Sequence, residues 1–251
     1  MSWDWLADYY PRLLDGALVT LELIFLSGLI GMILAVPLAL MRTSESAFVR
    51  ALPYGYIYFF RGTPLLIQIF LIYYGLSQFE AVRESFLWPV LKQPYWCAII
   101  AFSLNTAAYS AELIRGAIQA IPKGELEAAQ ALGMSKPMMI RRITLPRAFG
   151  IVLPAYGNEL ILMLKGSALA STITMMDITG AAQAIIARTY TPNEVFIVAG
   201  LMYLAISVCF IGIFRLIEKR LNRYQTYKVE IPKDIDPLLR DEHIDGEFKK
   251  T

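Results

Sequence analysis

Five long apolar runs separated by shorter polar stretches organise this chain, at residues 17–41, 54–77, 95–115, 150–169 and 195–217. Each comes close to or exceeds the roughly 20 mostly apolar residues that a helix needs to cross the hydrocarbon of a bilayer. Lipid offers no partner to an unpaired backbone N–H or C=O, so the runs predict helices rather than loops or open strands. Two of them are interrupted. Arg61-Gly62-Thr63-Pro64 breaks the second, and Pro154 with Tyr156-Gly157-Asn158-Glu159 is expected to loosen the fourth. The pattern predicts an all-α, polytopic membrane protein with about five transmembrane helices. It divides the chain into an external N-terminal segment over 1–16, a membrane domain over 17–223 and a polar C-terminal tail over 224–251. The tail has no apolar period and reads as an extension without a packed core of its own.

Basic residues resist translocation, so their distribution orients the helices. Lys123, Lys136, Arg141, Arg142 and Arg147 lie between the third and fourth runs, and Arg215, Lys219, Arg220 and Arg223 end the fifth. Those sides are expected to face the cytosol. The opposite connections hold only Arg12, then Arg83 and Lys92, then Arg188. Five crossings with the C-terminus in the cytoplasm put the N-terminus outside.

Composition agrees. The 251 residues are 57% hydrophobic and 18% charged, with a mean hydropathy of +0.50, too apolar for a soluble domain of this length. A net charge of +2 without a basic stripe gives no footprint for nucleic acid. Cys97 and Cys209 both lie in apolar runs, which suits small buried hydrophobes and supports neither a disulfide framework nor a metal site. The N-terminal residues Asp4, Asp8, Arg12 and Asp15 lack the basic character of a signal peptide, so the first run is expected to be retained.

The connection over 121–146 has its own design. Ile121-Pro122 opens a short helix, and Glu125 and Glu127 favour its positive end. The helix continues through Ala128, Ala129 and Leu132 to Gly133, a residue suited to the left-handed conformation that stops a helix. Ser135 is expected to cap a second helix with Pro137 in its first turn. Two helices at an angle result, the first with a smooth alanine face that fits a groove. An ordinary alanine-rich surface helix would look the same over Glu127-Ala128-Ala129 alone. The chain has no Gly-x4-Gly-Lys-Ser/Thr phosphate cradle, so a motor would have to be another subunit.

The order Glu127-Ala128-Ala129, three residues, Gly133, nine residues, Ile143-Thr144-Leu145-Pro146 resembles the cytoplasmic coupling loop of permease subunits of ABC importers. Phe60-Arg61-Gly62-Thr63-Pro64-Leu65-Leu66-Ile67-Gln68 resembles a signature of the polar amino-acid permeases within that group. So do Ala108-Tyr109-Ser110-Ala111-Glu112-Leu113-Ile114-Arg115-Gly116 and Lys165-Gly166-Ser167-Ala168-Leu169-Ala170-Ser171. The resemblance covers about residues 17–223 and implies the type I permease fold of these importers. It implies a location in the bacterial inner membrane and pairing with a second permease, identical or sister. It further implies two ATP-binding subunits that hold ATP and magnesium, and a periplasmic or extracellular substrate-binding protein. No cofactor is implied on this chain. The group handles histidine, lysine, arginine, glutamine, glutamate and opines. Many members carry Asp-Thr-Ser after the lysine where this chain has Gly166-Ser167-Ala168, which leaves substrate preference there unassigned.

Polar residues inside the apolar runs mark the candidate pathway, because a charge at mid-bilayer costs about 2.5–3.5 kcal/mol on insertion scales and usually faces protein or water. Glu159 has no basic residue three or four positions away. It suits the cationic side chain of arginine, lysine, ornithine or histidine, or else pairs with Arg61 for assembly. Asn105, Tyr109 and Glu112 share one helix face at i, i+4 and i+7. The first two suit a zwitterionic ligand or interhelical bonding, and Glu112 is open to neutralisation by Arg115. The break at Arg61 to Pro64 is either a packing kink or a cradle in which Thr63 and the amides beyond Pro64 take an α-carboxylate, with Gln68 a turn on. Asp177 is placed to cap a helix over 178–188.

The expected function is ATP-driven uptake of a polar amino acid, with a basic one or an opine favoured by Glu159 and a neutral or acidic one as the alternative. A passive channel or ion-coupled carrier would need no coupling loop. A membrane enzyme would need an acid–base or metal cluster, and the only histidine is His243 in the tail. No covalent chemistry is expected of this chain.

Overall fold

The computed structural model describes residues 4–221, and all regular elements among them are helical. The order is α1 (Asp4–Arg42), α2 (Ala47–Gly62), α3 (Leu65–Phe70), α4 (Glu80–Arg83), α5 (Trp88–Leu91) and α6 (Pro94–Gln119). There follow α7 (Lys123–Ala131), α8 (Lys136–Met139), α9 (Leu145–Gly166), α10 (Ile178–Thr189) and α11 (Pro192–Leu221). Four helical stretches are long and apolar enough to cross a membrane, and a fifth is a bent pair made of α2 and the helical run Leu65–Gln78. The tail expected over 224–251 lies outside the described residues.

The centre of the fold is the seam between α1 and α6. Apolar lipid provides no hydrophobic drive between helices, so association depends on close backbone approach at small residues. Ala35 and Ala39 of α1 meet Ala108, Ala111 and Ala117 of α6 in one buried cluster. A Cβ on Gly31 would lie 3.0 Å from the Thr106 side chain and 3.1 Å from the Ser103 carbonyl, so even a methyl group would crowd these helices. Tyr156 of α9 donates from its hydroxyl to the Gly28 carbonyl at 2.9 Å, tying α9 to the same stretch of α1.

Several elements differ from the sequence expectation. Helix α1 starts at Asp4 rather than near residue 17. Trp5 and Leu13, set among acidic residues in the sequence, are buried with Ile178, Ala182, Ile185 and Val195. The expected loosening at Pro154 does not occur, since α9 runs unbroken from Leu145 to Gly166. One missing backbone donor is tolerated in a helix packed against α6 and α11. The irregularity comes earlier, as a π-helical turn over Ile140–Thr144. The second run is not one kinked rod: its halves meet at 106°. Pro64 confines the residue before it to extended backbone, and Thr63 has φ −112° and ψ 143°.

The connection after α6 closes as a helix pair. Gly133 has φ +77°. Its N–H donates to Gln130 at 2.9 Å while that of Met134 donates to Ala129 at 3.1 Å, the paired bonds of a Schellman cap. Ser135 occupies the N-cap position of α8 without a side-chain cap bond, contrary to expectation. Helix α8 passes through the π turn into α9, so Lys136–Ile173 is one continuous helical stretch. Asp177 caps α10 as expected, accepting from Gly180 N at 3.0 Å and Thr179 N at 3.2 Å. It also accepts from the Tyr203 hydroxyl of α11 at 3.0 Å.

Replacing Gly31 by leucine drives a branched side chain into Thr106 and the Ser103 carbonyl. The expected result is destabilisation by about 1–3 kcal/mol, the range for overpacking, seen as a lower midpoint of thermal unfolding in detergent. An unchanged midpoint would mean that the α1–α6 seam is looser than described.

Candidate functional site

The 106° turn between α2 and α3 exposes the end of one helix and the start of another to the polar face of α6. A cavity of about 420 Å³ lies there. Arg61 and Gly62 come from the end of α2, Thr63 and Pro64 from the break, Asn105, Thr106 and Tyr109 from α6, and Glu159 from α9. Leu65, Phe102, Leu162 and Met163 supply apolar walls. The mixture of apolar walls and a few convergent polar groups is typical of small-molecule sites.

Five of the candidate pathway residues, Arg61, Thr63, Asn105, Tyr109 and Glu159, line this one cavity. Gln68 and Glu112 do not. Gln68 is 2% exposed and acts behind the wall. Its amide nitrogen donates to the Phe60 carbonyl at 2.8 Å, the Thr63 carbonyl at 3.1 Å and the Thr63 hydroxyl at 2.8 Å. Its carbonyl accepts from Asn105 Nδ2 at 3.0 Å. The Thr63 hydroxyl itself donates to the Phe59 carbonyl at 2.8 Å. Gln68 is therefore a bracket for the break, and it fixes the orientation of Asn105.

Glu112 lies in an ion network. Arg115 Nη2 approaches it at 2.8 Å within α6, and Arg42 Nε from the end of α1 at 3.4 Å. The pairing with Arg115 has i,i+3 spacing and was legible, whereas Arg42 is 70 positions away and was not. Phe102 and Thr106 were also missed. Extending the Asn105 and Tyr109 face back by one helical turn from each reaches them.

Arg61 and Glu159 carry opposite charges into the same cavity without joining. The ion pairs among the described residues are Arg42–Glu112, Arg115–Glu112 and Arg147–Glu125, and none includes either side chain. The direct Glu159–Arg61 pair left open by the sequence does not form at contact distance. The Arg61 guanidinium instead lies over the Tyr109 ring, 5.2 Å from its centroid. A cation-bearing group and a carboxylate thus remain available on the cavity wall.

The residues expected to couple to an ATPase lie apart from this cavity, on α7 and its cap. On α7, Glu127 and Ala128 are exposed and Ala129 is buried against the chain. Leu132, just before Gly133, is 83% exposed, a large apolar side chain at the tip of the element. Arg147 of α9 reaches back to Glu125 of α7, with Nε at 2.9 Å from the carboxylate. No group of three or more metal-ligating side chains occurs among the described residues.

Helix number, the broken second helix, the exposed helix pair and the polar cavity define a transport permease rather than a soluble binding module. Residues 27–223 match the family described as binding-protein-dependent transport system inner membrane component, and the chain belongs to that family. It is 49% identical over 223 residues to the nopaline transport system permease protein NocM of Agrobacterium fabrum, covering 88% of this chain and 92% of the relative. It is 43% identical over 206 residues to the histidine/lysine/arginine/ornithine transport system permease protein HisM of Escherichia coli, covering 82% and 87% of the two chains. A crystal structure of an amino acid ABC transporter with histidines contains a chain of similar fold. The TM-score is 0.76 at 36% identity, over 88% of this chain and 100% of that one.

Replacing Gln68 by leucine keeps the bulk but strips the Phe60 and Thr63 carbonyls and Asn105 of their partner. At about 1–3 kcal/mol for each buried polar group left bare, the variant is expected to lose thermal stability in detergent. Unaltered stability together with a selective loss of substrate affinity would instead make Gln68 a ligand contact.

Proposed function

We propose that this chain is the membrane-spanning subunit of an ATP-driven importer that carries a basic amino acid (arginine, lysine, ornithine or histidine) or an opine inward across a bacterial inner membrane. The observation that carries the reading is the unpaired juxtaposition of Arg61 and Glu159 on one cavity. A basic amino acid brings a carboxylate and a distal cation. The carboxylate suits Arg61 with Thr63 and the start of α3, the cation suits Glu159, and Asn105 and Tyr109 add hydrogen-bonding capacity between them. The relatives described as carriers of nopaline and of histidine, lysine, arginine and ornithine support the same substrate class. A neutral or acidic amino acid would leave the Glu159 carboxylate without a counter-charge.

Energy enters through α7. Two ATP-binding subunits holding ATP and magnesium press on the exposed Glu127 and Ala128 and on the Leu132 tip, with Ala129 buried behind them as the anchor of α7, and a second permease and an external substrate-binding protein complete the assembly. The excess of basic residues around α7 supports a cytoplasmic position for it, with the C-terminus on that side and the N-terminus outside. The Gly133 cap, the continuous α8–α9 stretch and the Arg147–Glu125 pair join α7 mechanically to the helix bearing Glu159. Movement of α7 would then reshape the cavity and alternate its access. This chain performs no chemistry of its own.

Two measurements test the proposal. Glu159→Gln is expected to reduce kcat/KM for a cationic amino acid by about 30-fold, equivalent to about 2 kcal/mol, with far less effect on a neutral one. Equal losses for both would assign Glu159 to structure. Gly133→Asp is expected to leave the protein inserted but abolish substrate-stimulated ATP hydrolysis by the complex, because φ +77° disfavours the new side chain and its bulk obstructs docking. Undiminished stimulation would remove α7 from the coupling path.

A further inference from the structure

Arg61 and Gly62 line a second cavity as well as the first. This one is about 340 Å³ and is also bounded by Arg42, Tyr54, Tyr58 and Glu112. The boundary between the two spaces is open at Gly62, where an added Cβ would meet nothing within 4 Å beyond its own helix backbone and chain neighbours. Resting on the proposed function, we infer that the second cavity is a carboxylate subsite centred on Arg42. It takes the additional carboxylate arm of an opine whose amino-acid part occupies the first cavity.

Charge around this space is unbalanced. Glu112 accepts from Arg115 at 2.8 Å, which neutralises it within α6, and from Arg42 at 3.4 Å through Nε alone. The terminal nitrogens of Arg42 make no hydrogen bond among the described residues, and its guanidinium rests on the Tyr54 ring, 4.9 Å from the centroid. Arg61, seated over Tyr109, is in no ion pair. The guanidinium groups of Arg42, Arg61 and Arg115 therefore stand against the single carboxylate of Glu112. The Arg42 and Glu112 side chains are only 19% and 16% exposed, and a surplus cation so poorly hydrated favours an anion beside it. Tyr54 and Tyr58 line the same space and bring hydroxyl donors to it. A plain basic amino acid has one carboxylate, which Arg61 and Thr63 suit. An opine of arginine carries a further carboxylate-bearing arm on its α-nitrogen. With the ligand's guanidinium toward Glu159 and its α-carboxylate at Arg61, that arm has the opening at Gly62 through which to reach Arg42. No protein side chain has to change its place.

The test measures equilibrium binding to the complete, nucleotide-free transporter in detergent, with arginine and N-dicarboxypropyl-arginine as ligands. Arg42 lies outside the amino-acid cavity. Arg42→Gln is expected to raise Kd for N-dicarboxypropyl-arginine about tenfold, the scale of one lost charge-assisted contact, and to leave Kd for arginine unchanged. In the unaltered complex, glutarate should displace N-dicarboxypropyl-arginine but not arginine, a measurement that stands even where the variant fails to fold. Equal weakening of both ligands by Arg42→Gln would make Arg42 structural. That result, an unchanged Kd for both, or glutarate displacing both ligands or neither overturns the subsite and leaves the transport reading intact. Binding of neither ligand, together with no ATP-driven uptake of either into proteoliposomes, overturns that reading and the subsite with it.

Discussion

Hydrocarbon gives no hydrogen-bond partner to a carbonyl that a broken helix leaves bare, and the turn at Thr63 and Pro64 leaves those of Phe60 and Thr63 in that condition. One buried amide answers both, since Gln68 donates to each while accepting from Asn105. This arrangement allows α2 to end inside the fold at 106° to the run that follows. The cavity exists because of that angle. A straight helix would have covered the polar face of α6, and Asn105 and Tyr109 would have faced another backbone rather than open space.

The same economy of contact governs the scaffold. Gly31, Ala35 and Ala39 bring α1 against α6 closely enough that the seam has little room for adjustment, and Tyr156 pins α9 to the α1 backbone. Outside this seam the helices carry exposed apolar side chains, Phe25, Ile33, Leu201 and Leu204 among them, which suit a lipid or helix neighbour. Burial is concentrated near the cavity wall, at α6. The elements that supply its charges, the end of α2 and the middle of α9, are attached to that wall from either side.

Helix α9 links the cavity to the exposed helix pair. It continues from α8, the second arm of the exposed helix pair, through the π turn, and it carries Glu159 into the cavity within one continuous helical stretch. The Arg147–Glu125 pair is half exposed and contributes only about 0–1 kcal/mol to stability, yet it is a direct side-chain tie between α7 and α9.

Much of this was legible along the chain because it depends on local chemistry. Apolar runs about 20 residues long identified the helices, Asp177 its own cap, Gly133 its left-handed stop, and the i,i+3 spacing of Glu112 and Arg115 their pairing. The sequence also marked the break at Pro64 and the charge of Glu159. It misjudged α1 and Pro154, since acidic residues end an apolar run without ending a helix, and packing overrides a proline in a long one. What only tertiary structure decided is which side chains meet: Gln68 with Asn105, Arg42 with Glu112, and Arg61 with Tyr109 rather than with Glu159. These contacts join residues tens of positions apart, and they depend on a bend angle and a seam distance that no local spacing encodes.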